Sequence, residues 1–395
     1  MIRFDDATAL VAGLAHALPS ERVGLDQADG RVLAAPLLAR HASPAAAVSA
    51  MDGYAVREAD VSLGAVRLPV MGTAFAGRGF DGPLAPGACV RIFTGAPVPA
   101  GADRVVMQEA VGDEGELAFF PQAPCGGRHL RAVGCDFQAG DQLVAAGLRL
   151  TPQRLVAAAA ADLTELEVVT RPRVIILSTG DELHDPGHGP GGGASIPESV
   201  SFGLAALVRA WGGEVIGRRR IGDDLSVLQA AAGEALRAAD LVVVTGGASV
   251  GQRDYAKAMF APFGLDCVFA KVAIKPGKPV WLGRAGGKLV VGLPGNPTAA
   301  LVTARLLLAP LIAGLGGQDP NRALAWREAP LALALAACGD RETFVRARKT
   351  QAGVAPLPDQ DSSSQKALAL ADALIRRRPG DPAAAIGDRV EVLDF

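Results

Sequence analysis

Apolar residues run without alternation in RVIILS (173–178), LVVVT (241–245) and KLVVG (288–292), and each run gives way to a polar loop containing glycine. Strands of this kind belong to a parallel sheet covered by helices on both faces, because neither side of the strand meets water. Between them the period becomes helical. Val200, Leu204, Leu207, Val208 and Trp211 fall at i, i+4, i+7, i+8 and i+11, one apolar stripe to lay on a sheet. A second helix is expected after Asp223. The alternation of RVIILS, EVIGRR, LVVV and KLVVG with helices predicts a doubly wound α/β domain over 171–317, with LVVV central.

The flanks follow other patterns. Ala and Leu at helical spacing in 1–40 and 141–170 predict a helical N-terminal domain built from 1–42 and 136–170. The stretch 43–135 is rich in Gly, Pro and short apolar runs such as RVVMQ, which predicts an inserted β-rich domain. After residue 322, Leu331, Leu333 and Leu335 alternate, and Gly339 with Asp340 forms a turn before TFVRAR, so a small β-rich domain is expected over 322–395. A chain of 395 residues suits such a division, at roughly 150 residues per domain.

Charge excludes some partners. With 39 basic and 41 acidic residues the net charge is −2, so nothing draws the chain in bulk to nucleic acid or to an anionic membrane, and anion binding has to be local. The five cysteines (89, 125, 135, 267, 338) are widely spaced without C-x-x-C, which fits neither a disulfide framework nor a zinc ribbon and points to a reducing cytosol. MIRFDDATAL has no basic segment leading into a long apolar run, and the aliphatic stretches are broken by Arg, Gly or Pro before about 18 residues. A soluble cytoplasmic protein is expected.

In an open α/β sheet, ligands collect at the carboxyl ends of the strands. STGDEL (178–183), TGGASVGQRDY (245–255) and LPGNPTAA (293–300) sit at such ends, and their glycines let backbone amides approach an anion. The expected lining is Thr179, Gly180, Thr245, Gly246, Gly247, Ser249, Gly295 and Asn296. Asn296 before Pro297 is equally a good helix start. All seven lysines lie from residue 257 onward, and Lys271, Lys275 and Lys278 fall together in KVAIKPGK, compact charges suited to phosphate or another oxyanion. A solvated basic turn is the plainer reading. Glu182, Asp223 and Asp254 occupy strand-to-helix junctions, where two carboxylates about 4 Å apart repel by about 4 kcal/mol at an effective dielectric near 20. A divalent metal or the lysines would offset that, and oxygen ligands beside phosphate favour Mg²⁺. Each acid alone also suits a helix cap.

Other motifs fail on context. GHGPGG (187–192) lies eight residues beyond Ser178 and opens no helix. GASVG (247–251) has the form of a nucleophile elbow, but the histidines (16, 41, 129, 184, 188) all precede Ser249, the wrong order for an α/β-hydrolase. His184 and His188 are separated by Pro186 and Gly187, which argues against a helix presenting both to zinc.

AMDGYAVR (50–57), RIFTGAPVPAGADRVVMQE (91–109), STGDEL, TGGASVGQRDY, KVAIKPGKP (271–279) and LPGNP (293–297), in this order, resemble the MoeA family of molybdopterin molybdenumtransferases, which includes the C-terminal domain of gephyrin. The resemblance runs nearly end to end. It implies a multi-domain α/β fold: a doubly wound molybdopterin-binding domain, an inserted β-rich domain, a helical linker domain and a C-terminal β-barrel-like domain. It implies insertion of molybdate into adenylylated molybdopterin with release of AMP in a divalent-metal-dependent step, and a homodimer whose site lies between the α/β domain of one subunit and the inserted domain of the other. The roles it carries over fall on Asp52, Thr94, Asp136, Glu182, Asp223, Asp254, Lys271, Lys275, Pro294 and Pro297; on chemical grounds Glu182, Asp223 and Asp254 are the expected metal ligands and Lys278 a further contact to substrate oxygens. Molybdoenzymes or their chaperones would receive the product. The chain departs from the family at Ala47 and Val48, where Asp-Asn is usual, and at 196–200, where Ile-Pro-Glu-Ser-Val replaces a segment with Tyr and Asn. A diverged, non-catalytic cofactor-binding or scaffold paralogue is the alternative function.

Overall fold

The computed structural model describes residues 1–187, 189, 195–246 and 255–395. Its central sheet has six strands in the order Glu214–Ile221, Arg173–Thr179, Leu241–Thr245, Lys288–Leu293, Trp281–Ala285, Asp266–Phe269. The first four are parallel, and Trp281–Ala285 runs antiparallel to both of its neighbours, Lys288–Leu293 and Asp266–Phe269. Helix Val200–Ala210 packs on one face, with Leu204 and Val208 buried beside Val174 and Ile176, and helix Leu225–Ala238 packs on the other against Ile175 and Leu177. The chain leaves Arg173–Thr179 towards one edge and Leu241–Thr245 towards the other. Those neighbouring strands therefore flank the point where the winding reverses, and their carboxyl ends leave a crevice.

The first helix, Phe4–Leu14, buries Phe4, Ala7 and Val11 in the α/β core, so it packs with the 171–317 segment and not with the rest of 1–42. The expected helical linker is helical only in part. Pro152–Ala160 is a helix, but Ser20–Gly24 pairs antiparallel with Glu165–Val169, and Leu37–Leu38 with Gln142–Val144. Gly30, Pro36, Gly140 and Gly147 cut the Ala/Leu-rich runs into pieces too short to nucleate helices, and cross-pairing prevails.

The inserted segment forms a six-stranded sheet in the order Arg104–Met107, Gly53–Val56, Cys89–Ile92, Val66–Ala74, Leu117–Phe120, Gly112–Asp113. In the C-terminal segment, strands Gly353–Pro356, Glu342–Thr350, Ala373–Arg377, Arg389–Asp394 and Arg327–Pro330 lie side by side. A parallel bridge from Leu331 to Val354 closes them into a barrel-like ring. The alternation of Leu331, Leu333 and Leu335 does not mark a strand. Only Leu331 and Leu335 make isolated bridges and Leu333 is 52% exposed, because this stretch bends away to wall a cleft.

Helix Pro297–Leu315, with mean hydropathy 1.8, is the one helix among the described residues long and apolar enough to cross a membrane, yet 94% of it is buried as the central rod of the core. It is continuous through a π-helical turn at Ala304–Leu308.

Candidate functional site

The crevice at the winding reversal has a volume of about 640 Å³, inside the range of roughly 300–1,000 Å³ usual for small-molecule sites. Its floor is built where the two strands end. Thr179 Oγ1 donates to the Thr245 carbonyl at 3.2 Å and Thr245 Oγ1 to Ser178 Oγ at 3.3 Å. Gly246 has φ +87°, and a Cβ there would stand 2.3 Å from the Thr179 carbonyl oxygen, so only glycine lets the strand ends cross this closely. Pro294, Gly295, Asn296 and Pro297 form the opposite wall.

Ile196 to Val200 form the mouth. Glu198, 6% exposed, accepts from the Ser201 N–H at 2.8 Å, from Ser201 Oγ at 2.5 Å and from Ser178 Oγ at 3.2 Å. One carboxylate therefore caps helix Val200–Ala210 and ties it to the crevice floor.

The acids lie beside this crevice. The Gly180 N–H donates to the Ile221 carbonyl at 3.1 Å and the Asp223 N–H to Asp181 Oδ1 at 2.9 Å, which zips the loops carrying Glu182 and Asp223 together. Glu182 lines the crevice and folds its carboxylate over Gly180. The helix cap belongs to Asp224, whose Oδ1 accepts from the Ser226 and Val227 N–H groups, so capping does not explain Asp223. Among the described residues no three His, Cys, Asp or Glu side chains form a metal-binding group. Asp254, Gly247 and Ser249 lie outside the described residues, as do His188 and most of GHGPGG.

The lysines face elsewhere. Ile274 is buried and Lys275 exposed in a two-residue strand paired with Glu342–Thr343, and Lys275 reaches a second cleft of about 620 Å³ walled by Leu333, Leu335, Cys338, Arg341 and Arg377. Lys271 and Lys278 are exposed and line neither cleft. Within one chain the expected single crevice of lysines and acids is thus divided in two, because the alternating strand turns Lys275 towards the barrel. Two loops, 275–279 and 358–365, contribute to both clefts and form the wall between them. No carboxylate stands within ion-pair distance of Lys271, Lys275 or Lys278 among the described residues.

Sequence reasoning missed the barrel's contribution. Ser363 and Gln365 line the crevice. Their loop is moored by Asn296 Nδ2, which donates to Ser362 Oγ at 2.9 Å, and by Thr298, whose N–H and Oγ1 donate to the Ser362 and Ser364 carbonyls. Asn296 does occupy the N-cap position, but its side chain makes this tether and not a cap bond. The serine run at 362–364 before a helix was the only available signal.

Asp52 and Thr94 meet in the inserted domain. Thr94 donates from its N–H at 2.7 Å and its hydroxyl at 2.8 Å to Asp52 Oδ1. These bonds, the backbone one foremost, with Arg91 nearby, hold the Asp52 carboxyl below the usual carboxylate range. A lowered folded-state value means that the bonded pair is intact above the ordinary range and is lost only as pH falls through the lowered value. Amide exchange at Thr94 between about pH 5 and 4 is therefore expected to keep its protection, and early loss there would contradict the geometry. Asp136 joins neither place. It is exposed, with its N–H bonded to the Ser43 carbonyl where the inserted segment returns to the linker.

Comparison with known proteins gives consistent matches. The model described as "MoeA N-terminal region (domain I and II)" matches residues 2–161, "Probable molybdopterin binding domain" 175–314, and "MoeA C-terminal region (domain IV)" 328–395. A molybdopterin molybdenumtransferase of Haemophilus influenzae is 35% identical over 333 residues, covering 84% of this chain and 80% of that protein. Molybdopterin molybdenumtransferase 2 of Mycobacterium tuberculosis is 38% identical over 351 residues, covering 86% and 85%. The crystal structure of a molybdopterin biosynthesis MoeA protein from Pyrococcus horikoshii superposes with a TM-score of 0.83 at 27% identity, covering 99% of this chain and 98% of that one.

Proposed function

This chain belongs to the MoeA family, and from that premise we propose that it is a molybdopterin molybdenumtransferase, inserting molybdate into adenylylated molybdopterin with release of AMP during molybdenum cofactor biosynthesis. The observation that carries the reading is the crevice at the reversal of the α/β sheet, floored by Thr179, Thr245 and Gly246, with Lys275 just across a shared wall and no carboxylate within ion-pair distance of it among the described residues.

In this reading the crevice takes the phosphate end of the substrate, where the N-terminus of the helix that opens at Pro297 and the Gly246 amide favour negative charge. Lys275 is the lysine placed to hold oxygens of molybdate or of the departing phosphate, whereas Lys271 and Lys278, which line neither cleft, are assigned no such contact. The paired loops present Glu182 and Asp223 as hard oxygen donors with no His or Cys among them, a set that fits Mg²⁺, and Asp254 would complete it. Bound there, Mg²⁺ would supply Lewis-acid polarisation of phosphate oxygens. Asp52 and Thr94 act from the inserted domain of a second copy, in a cytoplasmic homodimer that passes its product to molybdoenzymes or their chaperones.

The test is incubation of the purified protein with adenylylated molybdopterin, molybdate and Mg²⁺. Release of AMP, stopped by EDTA and restored by Mg²⁺, is expected. Tight binding of the substrate with no AMP released would overturn the transferase reading in favour of a scaffold altered at 196–200.

A further inference from the structure

In the inserted domain, strands Val66–Ala74 and Cys89–Ile92 run parallel, with Thr73 beside Arg91 and Ala74 beside Ile92. The Phe93 N–H donates to the Ala74 carbonyl at 3.1 Å, so the next step of the ladder sets Phe75 beside Phe93. Side chains alternate along a strand, which gives Thr73, Phe75, Arg91 and Phe93 a common face. The two phenyl rings are stacked, with centroids 5.0 Å apart and planes 6° from parallel, close to the ~4.8 Å spacing of adjacent strands.

The pair is stiffly mounted. Phe75 and Arg78 exchange backbone hydrogen bonds of 2.8 and 2.9 Å across a tight turn. The Arg91 guanidinium lies 5.2 Å from the centre of the Phe93 ring and 4.8 Å from that of the buried Tyr54 ring, and it donates to Gln108 Oε1. Despite this packing, Phe75 remains 50% exposed. The stack also borders Asp52, since Thr94, the residue after Phe93, carries the N–H and hydroxyl that bind Asp52 Oδ1. Oδ2 takes no part in those two bonds.

The α/β crevice, by contrast, has no aromatic side chain among its described lining residues. A planar heterocycle held there would find nothing to stack on. Building on the transferase reading, we propose that the Phe75–Phe93 stack seats the pterin ring of the substrate, with Asp52 Oδ2 accepting N–H groups from the ring's aminopyrimidinone edge. That edge presents neighbouring donors, which suit a carboxylate. Adenine presents a single amino group flanked by acceptor nitrogens, which a carboxylate repels. Arg91 contributes by helping to keep Asp52 ionised and hence accepting. The substrate then spans two subunits, with its phosphate end in the crevice of one and its ring on the inserted domain of the other.

The experiment uses the full chain with two probes, a soluble fluorescent 6-hydroxymethylpterin and AMP, titrated separately into the wild type, Phe75→Ala and Phe75→Trp. Stacking quenches pterin fluorescence. Phe75→Ala is expected to weaken pterin binding about tenfold while leaving AMP affinity and molecular mass unchanged, and Phe75→Trp to restore it. The proposal is overturned if the wild type binds no pterin, if Phe75→Ala binds it normally, if AMP affinity falls instead, or if the variant changes its association state, which would make the ring a subunit contact. A wild type that binds pterin through Phe75 but releases no AMP in the transfer assay would sink the transferase reading and leave the seat standing. Full turnover with no pterin loss in Phe75→Ala would do the reverse.

Discussion

Replacing Lys275 by alanine is expected to slow AMP release about 10²- to 10³-fold, the usual cost of removing one preorganised donor from a developing oxyanion. The melting temperature should barely move, because the side chain is exposed and surface substitutions usually stay within about 0.5 kcal/mol. The loop itself is held in place. Gly277, at φ +100°, packs so close to Thr303 that a Cβ would stand 2.1 Å from its Cγ2 atom, which fixes the loop against the rod helix that opens at LPGNP. Lys275→Arg should recover little, because a forked guanidinium does not replace a point charge. The proposed homodimer with a shared site adds a sharper outcome. Equal amounts of Lys275→Ala and Asp52→Asn chains, dissociated and reassociated, should regain about one quarter of wild-type activity, since half the dimers are mixed and each carries one intact site. If mixing restores nothing, the site does not cross the subunits.

Arg376→Met is expected to cost about 3–5 kcal/mol of stability, the largest loss among the surface-to-core ties of the barrel. The Arg376 side chain is 7% exposed, pairs with Glu342 at 8% and with Asp5 at 2.5 Å, and lies over the rings of Phe4 and Trp326. It joins the first helix, the barrel and the strand beside Lys275 at one point. Without it the Glu342 carboxylate is left buried and unpaired. Burial already pushes that carboxyl up, and loss of the guanidinium removes the main opposition. A raised folded-state value favours the fold below the unfolded value and withdraws that favour as pH rises through it, so the deficit of Arg376→Met should be larger at pH 8 than at about pH 5. Urea unfolding at the two pH values checks this. Arg376→Met combined with Glu342→Leu should regain much of the loss, since no buried charge is then stranded.

The α/β domain was legible because its signals are local. Strands apolar on both faces, one helical stripe and glycine loops at the strand ends suffice to put Thr179, Thr245 and Gly246 on one edge. What depends on distant chain was not legible. Nothing near Asp52 or Thr94 in sequence announces their pairing across 42 residues, and only the resemblance singled them out. Ser363 and Gln365 reach the crevice because Asn296, read as a cap, spends its amide on Ser362, a tertiary choice with no periodic trace. Lys271, Lys275 and Lys278 are neighbours along the chain, whereas pairing with Glu342–Thr343 decides where Lys275 faces. The linker was misread for the same reason, since Ala and Leu favour helices until a partner strand offers more.

The rod helix Pro297–Leu315 has a consequence for how the protein is made. Its buried Arg305 finds its carbonyl partners at Ala323 and at Asp394, the latter 89 residues downstream. While a ribosome is still delivering that later stretch, a greasy segment with the length and apolarity of a membrane anchor has its upstream cover but lacks Phe344, Leu374 and Leu393 from the barrel side. The last contacts of the rod are therefore made only after the C-terminal strand has left the ribosome, an order the finished fold no longer reveals.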